Sequence, residues 1–181
     1  YKHTILAPQM SPIHFKLLQK AFCYSGYNFV VLDAIDPNAV ETGLKYVNND
    51  ACYPSILVAG QMIAALESGK YDLQNTSLLI TQTGGGCRAT NYIGFIRRAL
   101  ADANLSHIPV ISLSAQGFEK NAGFKITVPF LIRAIRSIAL GDLLMRVLYR
   151  TRPYEKIPGS ANALYEKWNG RALKQLESLS F

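Results

Sequence analysis

The chain lacks an apolar run long enough to cross a membrane. No stretch of its 181 residues approaches the roughly 20 consecutive apolar residues that span a bilayer. The N-terminus also lacks the succession of basic, apolar and small residues that forms a secretion signal. We therefore expect a cytoplasmic protein that does not use a membrane as a partner.

Cysteine is scarce, with only Cys23, Cys52 and Cys87 in the whole chain. An odd number of widely spaced cysteines does not form a disulfide framework, and it suits a reducing compartment. Cys52 and Cys87 are too few for a closed zinc site. We expect Cys23, near the end of the first predicted helix, to be a packed or half-exposed thiol. Thiol and metal chemistry stay open for the other two.

Charged residues are also few, at 17% of the chain against 49% hydrophobic residues, which is typical of a packed globular protein. The net charge is nevertheless +7, with a pI near 9.4, and this indicates an anionic partner. There is no dense block of Lys and Arg and no nucleic-acid motif, so the sequence does not favour nucleic acid. A phosphorylated ligand or an acidic protein surface fits better.

Short apolar runs alternate with stretches of helical periodicity. The runs at 3–7, 28–32, 77–81 and 107–113 predict four strands, and the segments between them predict helices. Parallel neighbours need crossover connections, which are usually helical. The pattern therefore predicts an α/β fold, a Rossmann-like doubly wound and mainly parallel sheet of about four strands, with an order such as 2-1-3-4.

The chain beyond residue 123 predicts a helical C-terminal part, with an apolar helix over about 128–149 and an amphipathic helix over 159–179. Its length predicts a single α/β domain over residues 1–181. The first residue is Tyr1 rather than methionine, so we expect a fragment of a larger multidomain protein. Five arginines are interspersed among the apolar residues of this helical region and are expected to mark its solvated face or a docking surface: Arg133, Arg136, Arg146, Arg150 and Arg152.

Three successive glycines follow the third predicted strand and lead into Cys87. Gly84, Gly85 and Gly86 permit positive φ angles and close backbone approach, so several N–H groups can point at one anion. A helix predicted from residue 90 adds its dipole, and such a nest lowers a cysteine pKa. The run is neither a Walker loop nor a G-x-G-x-x-G fingerprint. Phosphate, thiolate and cluster sulfide would all suit it.

Cys52 and Cys87 both lie on loops that immediately precede a predicted helix, and ligands of open α/β sheets bind where such loops leave the carboxyl ends of strands. No strand is identifiable before Cys52, so its side of the sheet stays open. Asn49 and Asp50 are expected to orient its loop through turn hydrogen bonds. The three histidines share no metal-ligand spacing and are expected to be structural or exposed: His3, His14 and His107.

Three stretches of the chain together resemble the 2-hydroxyacyl-CoA dehydratase superfamily. They lie at 7–11 (APQMS), 46–54 (YVNNDACYP) and 82–92 (QTGGGCRATNY). The resemblance extends from the first strand to the Arg-Thr-Arg-Pro-Tyr segment at 150–154. It is closest to the C-terminal region of the large fused CoA-substrate-specific enzyme activases, the activators of 2-hydroxyglutaryl-CoA dehydratase.

The resemblance implies that Cys52 and Cys87 ligate a 4Fe-4S cluster, or a larger iron-sulfur cluster. Backbone N–H groups of Gly84, Gly85 and Gly86 would donate to its sulfurs, and Arg88 would neutralise cluster charge or meet an anionic ligand. A further cysteine ligand is expected from other domains of the parent chain, and an ATP-dependent activator would supply electrons for an acyl-CoA substrate. The isolated fragment is expected to be inactive and to lose the cluster.

Two other hypotheses stay open. One is a Rossmann-like module that binds a phosphorylated small molecule at residues 83–86, with neither cysteine as a ligand. The other is a non-catalytic interaction domain of a large fused protein, in which both cysteines are free thiols and the basic face docks another domain.

Overall fold

A computed structural model of the chain describes residues 3–33, 37–82, 91–114 and 124–177. Four strands and six α-helices lie within these ranges. The strands are Thr4–Ala7 (β1), Asn28–Val31 (β2), Thr76–Gln82 (β3) and Val110–Ser114 (β4). The helices are Pro12–Tyr24 (α1), Asn38–Tyr46 (α2), Tyr53–Glu67 (α3), Tyr92–Asp102 (α4), Val128–Thr151 (α5) and Ser160–Glu177 (α6).

The four strands form one all-parallel sheet in the order β2-β1-β3-β4. Leu6 of β1 pairs with Val30 of β2 on one side and with Leu78 of β3 on the other. Successive β3 residues from Leu78 to Ile80 are all buried, as expected for a central strand of a parallel sheet. The predicted α/β, Rossmann-like fold class and the strand order are confirmed.

The internal contacts divide the chain into two compact units. The sheet unit consists of Tyr1–Met10 and Asn28–Phe124, and the helical unit consists of Ser11–Tyr27 and Lys125–Phe181. The helical unit is therefore built from two separate stretches of sequence. The expectation of a single domain stays a prediction.

The core of the sheet unit lies between the central strands and helices α3 and α4. Leu6 and Leu78 are fully buried with Met62 of α3 and Ile96 of α4 in one apolar cluster. Each such side chain contributes about 1.5–3 kcal/mol relative to its exposed state. Helix α3 is apolar on almost every side, and most of its residues are accordingly buried.

Helices α2 and α3 cross at backbone contact distance. A Cβ atom at Gly60 would collide with the carbonyl oxygen of Ala39, and a Cβ atom at Gly43 would collide with that of Ile56. The two glycines therefore permit an approach that any side chain would prevent. Both helices belong to the single connection between β2 and β3, and no strand separates them.

The helical unit packs α1 against α5 and α6. Ile13 of α1 is buried with Leu148 and Ala161, and Leu17 is buried in a second cluster with helix α6. The hydroxyl of Thr127 accepts a 3.3 Å hydrogen bond from the Phe130 N–H and so caps the first turn of α5. None of the helices in the described ranges is both long enough and apolar enough to cross a bilayer.

Residue 90, the predicted start of helix α4, lies outside the described residues. One predicted boundary within them is wrong by several residues. Strand β4 begins at Val110 rather than at His107, because the preceding residues form turns: Asn104 has a φ of 59°, and the Ile108 N–H bonds the Leu105 carbonyl at 3.0 Å. The turn keeps His107 and Ile108 out of the strand, whereas the Pro109 carbonyl still accepts a 2.9 Å hydrogen bond from the Leu78 N–H of β3.

Candidate metal centre

The strand order reverses between β1 and β3, so the carboxyl ends of these two strands form the topological switch point. Met10 follows β1, and its sulfur accepts a hydrogen bond from the Thr81 hydroxyl of β3 at 3.7 Å. The Gln9 N–H donates to the side-chain oxygen of Gln61 on α3 at 3.2 Å. The loop after β1 is thus tied both to β3 and to α3 at this edge.

Helix α4 begins at the same edge. It connects β3 to the parallel strand β4, so its first residue must lie toward the carboxyl end of β3 and its last toward the amino end of β4. That first residue is Tyr92, whose side chain is buried in the core of the sheet unit. Tyr92 therefore marks the carboxyl edge.

Cys52 is the N-cap residue of α3, with extended backbone angles of −64° and 143°. The short loop before it is fixed by Asn48, whose side-chain oxygen accepts from the Asp50 N–H at 3.0 Å and whose carbonyl accepts from the Ala51 N–H at 2.9 Å. The turn bond comes from Asn48 rather than from Asn49, the residue expected to orient the loop with Asp50. The loop delivers a half-buried thiol to the start of α3.

Several donors around the sulfur favour the thiolate. The pKa of the Cys52 thiol is lowered, first by the hydroxyl of Ser55, then by the Ser55 backbone N–H, and more weakly by the Tyr92 side chain; partial burial opposes them. The Ser55 hydroxyl lies 2.7 Å from the Cys52 carbonyl oxygen. Its single hydrogen can serve either that oxygen or the sulfur at one time, whereas the Tyr92 hydroxyl has no such competitor on Cys52.

Cys52 packs against the apolar cluster that contains Tyr92, and α3 leads away from Cys52 toward the amino end of β3, so the thiol lies toward the carboxyl edge. This is the side of the sheet that the sequence left open. A strand before Cys52 is not needed, because α3 begins beside α4 and the α2–α3 loop carries the cysteine there.

The other predicted site residues lie outside the described residues. These are Gly84, Gly85, Gly86, Cys87 and Arg88. In the sequence Cys87 precedes Tyr92 by five positions and follows the last residue of β3 by five positions. Both ends of the stretch that contains Cys87 are therefore joined to the carboxyl edge of the sheet, where Cys52 lies.

The described residues supply one good ligand for a metal cluster rather than a complete set. Within the described ranges, no three His, Cys, Asp or Glu side chains converge so that they could hold a metal ion. A half-buried sulfur with thiolate-stabilising donors is the chemistry that one corner of an iron-sulfur cluster requires. Cys52 has these properties, and the other ligands of any cluster held here would have to come from outside the described residues.

The other candidate ligands lie elsewhere. Cys23 is exposed near the end of α1, and His3 and His107 are exposed. His14 has a specific structural setting in the helical unit: its Nδ1 lies 2.8 Å from the Ser11 hydroxyl and its Nε2 lies 3.0 Å from the Asp142 carboxylate. These positions agree with the expectation that the histidines are structural or exposed.

The sequence did not indicate Ser55 or Tyr92 as parts of the site. Ser55 lies three residues after Cys52, and that spacing at a helix start was the available signal. Tyr92 closes one of the stretches that carry the family resemblance, but it reads as an ordinary apolar residue of a helix. The triad of Ser11, His14 and Asp142 had no signal, because 128 positions separate its last two members.

Compared with known proteins, the chain matches no family model, no curated protein and no solved structure.

Proposed function

We propose that this chain is the iron-sulfur-cluster-bearing domain of an acyl-CoA dehydratase or activase-type system, which transfers electrons at low potential at the expense of ATP. Cys52 and Cys87 would each provide one thiolate ligand to a 4Fe-4S or larger cluster. A further cysteine would come from another domain of the parent chain. Such a system would operate in the cytoplasm.

The observation that carries the proposal is the position of Cys52. Its sulfur is half-buried at the start of α3, and its side chain packs against the apolar cluster that contains Tyr92, the first residue of α4, at the carboxyl edge of the sheet. Ligand sites of doubly wound sheets lie at this edge. The lowered thiol pKa supports the same conclusion, because the thiolate is the form that binds iron.

Chain connectivity supports the pairing of Cys52 with Cys87. Five residues of extended chain span at most about 18 Å, so Cys87 must lie within that distance of Tyr92. The glycines at 84–86 would let backbone N–H groups approach the cluster sulfurs, and hydrogen bonds of this kind tune the potential of such clusters. Arg88 would balance part of the negative charge of the cluster or of the substrate.

A cluster bound here would supply a single low-potential electron, which permits loss of an unactivated hydroxyl from an acyl-CoA. The chain's own residues would hold and orient the cluster. Ser55 and Tyr92 would keep Cys52 in its thiolate form, and the apolar core beneath Cys52 would shield one side of it from water. The ATP-dependent activator and the substrate would meet the cluster on the remaining side.

Binding of a phosphorylated small molecule is the second candidate. The start of α4 and the glycine-rich stretch before it lie in sequence at the switch point, where phosphates bind in many doubly wound sheets. In this case neither cysteine is a ligand. Cys52→Ser and Cys87→Ser should then leave the affinity for a phosphorylated ligand unchanged.

The deciding experiment is anaerobic iron and sulfide analysis with EPR on the whole polypeptide that contains this chain. The wild type is compared with Cys52→Ser and Cys87→Ser, and with Cys23→Ser as the matched control on an exposed thiol. We expect iron and the EPR signal to fall in the first two variants and to persist in the control. Unchanged iron in both, or a colourless wild type after reconstitution, contradicts the cluster and favours the phosphate site.

A further inference from the structure

Helices α5 and α6 form an apolar groove on the surface of the helical unit. It encloses about 270 Å³. Its mouth is formed by large apolar side chains that are about half exposed: Leu143, Val147, Leu164 and Trp168. Leu144, Leu148 and Ala161 lie along its floor. Isolated exposed apolar residues are normal on a protein surface, but a concave and continuous set of them indicates a binding surface.

The groove is long enough for several turns of a helix. A second depression shares Leu143 and continues along the same helix pair past Leu140 to Arg136 and Leu176. From Arg136 to Thr151 the α5 edge covers 16 residues, or roughly 22 Å at the rise of an α-helix. A third helix of about 15 residues would fill this length and complete the packing of the pair.

The rims of the groove are basic. Three exposed arginines lie beside the apolar row on α5: Arg136, Arg146 and Arg150. Three exposed basic residues follow the Leu164 and Trp168 row on α6: Lys167, Arg171 and Lys174. The Arg171 guanidinium lies 4.6 Å from the centroid of the Trp168 ring, so the basic rim and the apolar mouth are in contact.

Most of the positive charge of the chain lies in residues 125–177, the stretch that contains α5 and α6. Residues 125–177 contain ten Lys and Arg and four Asp and Glu, a net charge of +6 out of +7 for all 181 residues. Three of the four acidic side chains pair with α1 or with backbone N–H groups: Asp142 with His14, Glu166 with Lys16, and Glu155 with the amides of Gly159 and Ala161. Burial, and after it the nearby Glu177 carboxylate, raises the pKa of Tyr24, so the fourth acidic side chain lies near α1.

We propose that the α5–α6 groove binds an amphipathic helix of another polypeptide segment, whose apolar stripe is flanked by Asp and Glu. The apolar stripe would fill the groove, and the acidic flanks would meet the basic rims. A second copy of this chain would bring one basic rim against another, which is repulsive. A membrane surface is flat, whereas the apolar side chains here line a concave groove.

This site is independent of the proposed cluster, because every residue that forms it lies on α5 or α6. Failure of the cluster experiment would leave the groove untouched, and failure of the groove experiment would leave the cluster untouched.

Trp168 provides the assay, because it is the only tryptophan of the chain and forms part of the groove. The probe is a synthetic helical peptide of about 15 residues with a leucine stripe flanked by glutamates. We expect it to shift the Trp168 emission to shorter wavelength in a saturable manner and to bind less tightly as salt is added. A peptide with the same leucines and lysines in place of glutamates should not shift the emission at the same concentration.

Two variants of α5, at residues with similar surface exposure, test whether the peptide binds in the groove. Val147→Glu places a charge in the groove and should weaken binding by about tenfold or more. Ile135→Glu changes an equally exposed apolar residue of α5 that does not line the groove, and it should bind like the wild type. Circular dichroism establishes that both variants are folded, so a loss of binding cannot be attributed to unfolding.

Three outcomes would overturn the proposal. The first is equal binding of the two peptides. The second is a Trp168 shift with vesicles that contain phosphatidylglycerol, abolished by Val147→Glu, when the acidic peptide gives none. The third is a dimer in sedimentation experiments without peptide that dissociates in Val147→Glu, because the groove would then be an interface between copies.

A double variant, Arg150→Glu with Arg171→Glu, tests the role of the basic rims. A reversed preference between the two peptides in this variant would show directly that the rims select the charge of the peptide.

Discussion

Cys52 and Tyr92 lie forty positions apart in sequence, and Cys52 packs against the buried apolar cluster that contains Tyr92. The cluster brings the start of α3 beside the start of α4. The Cys52 thiol therefore lies at the carboxyl edge of the sheet. The candidate site is therefore assembled from two crossover connections of the sheet.

The first prediction concerns the acidity of the Cys52 thiol. In the metal-free Cys23→Ser, Cys87→Ser background, iodoacetamide alkylation of Cys52 should have a pH midpoint below the ordinary cysteine value of about 8.5. Ser55→Ala should raise this pKa because it removes the leading donor, and Tyr92→Phe should raise it less. An unchanged midpoint in Ser55→Ala would show that its hydroxyl serves only the carbonyl oxygen of Cys52.

The same pKa has a consequence for stability. Because the folded thiol is more acidic than the unfolded one, its contribution to the free energy of unfolding is present above the unfolded pKa. The contribution is lost as the pH falls through the folded pKa. The advantage of wild type over Ser55→Ala should therefore contain a part that grows as the pH rises toward about 8.5 and then levels off.

The second prediction tests the close crossing of α2 and α3. Gly60→Ala should destabilise the chain by about 1–3 kcal/mol, because its Cβ overlaps the Ala39 carbonyl and the helices must separate. Gly170→Ala is the matched control, since a Cβ there meets nothing within 4 Å. The control should gain about 0.5–1 kcal/mol from helix propensity. Urea unfolding measures the change in the free energy of unfolding for both variants. Stabilisation by both substitutions would show that the helices do not cross at backbone contact distance.

The third prediction concerns Glu155, whose carboxylate accepts hydrogen bonds from the Gly159 N–H at 2.7 Å and the Ala161 N–H at 2.9 Å. These bonds lower its pKa, and they satisfy backbone donors at the start of α6. A depressed carboxyl pKa stabilises the fold above the unfolded pKa of about 4.3, and this contribution disappears as the pH falls through the folded pKa.

Glu155→Gln should therefore lower the thermal midpoint at pH 7 relative to wild type, and the difference should shrink in strongly acidic buffer. Glu166→Gln is a suitable control because its carboxylate forms an exposed pair with Lys16 at 3.5 Å. Exposed pairs of this kind add little to stability. A Glu155→Gln deficit that is the same at every pH would indicate lost packing rather than lost charge.

The fourth prediction concerns the tautomer of His14. If Ser11 donates to Nδ1 and Asp142 accepts from Nε2, the neutral ring must carry its proton on Nε2. Nitrogen chemical shifts at alkaline pH should report this single tautomer, while the exposed His3 and His107 serve as internal references for a mixture. Asp142→Ala should reduce the preference and cost only about 0.2–1 kcal/mol, because the carboxylate is largely exposed. A mixed tautomer in the wild type contradicts the arrangement.

The sequence allowed prediction of the sheet because its strands are local apolar runs separated by periodic helices. The order β2-β1-β3-β4 was expected only as a usual order for such a sheet, because the crossover connections alone also allow other orders. The sequence did not reveal that Gly43 and Gly60 lie at a helix crossing, since a glycine inside a helix reads only as an unfavourable residue. The contact between α2 and α3 depends on the packing of two helices, and no local sequence pattern indicates it.

The candidate site, like the fold, could be predicted only in its local features. Cys52 stood out because it lies on an uncommon loop that precedes a helix. Its neighbour Tyr92 could not be predicted, because side chains distant in sequence meet only once the sheet has brought α3 and α4 together. The α5–α6 groove likewise depends on which face of each helix remains uncovered after packing.

The division of the helical unit between two distant stretches of sequence has a consequence for synthesis on the ribosome. Ile13 and Leu17 of α1 bury themselves against α5 and α6, which begin more than a hundred residues later. At ordinary translation rates α1 waits on the order of ten seconds for its partners to emerge. During that interval its apolar face is available to chaperones, and a ribosome stalled before residue 128 would release a chain that can complete the strands but never the helical unit.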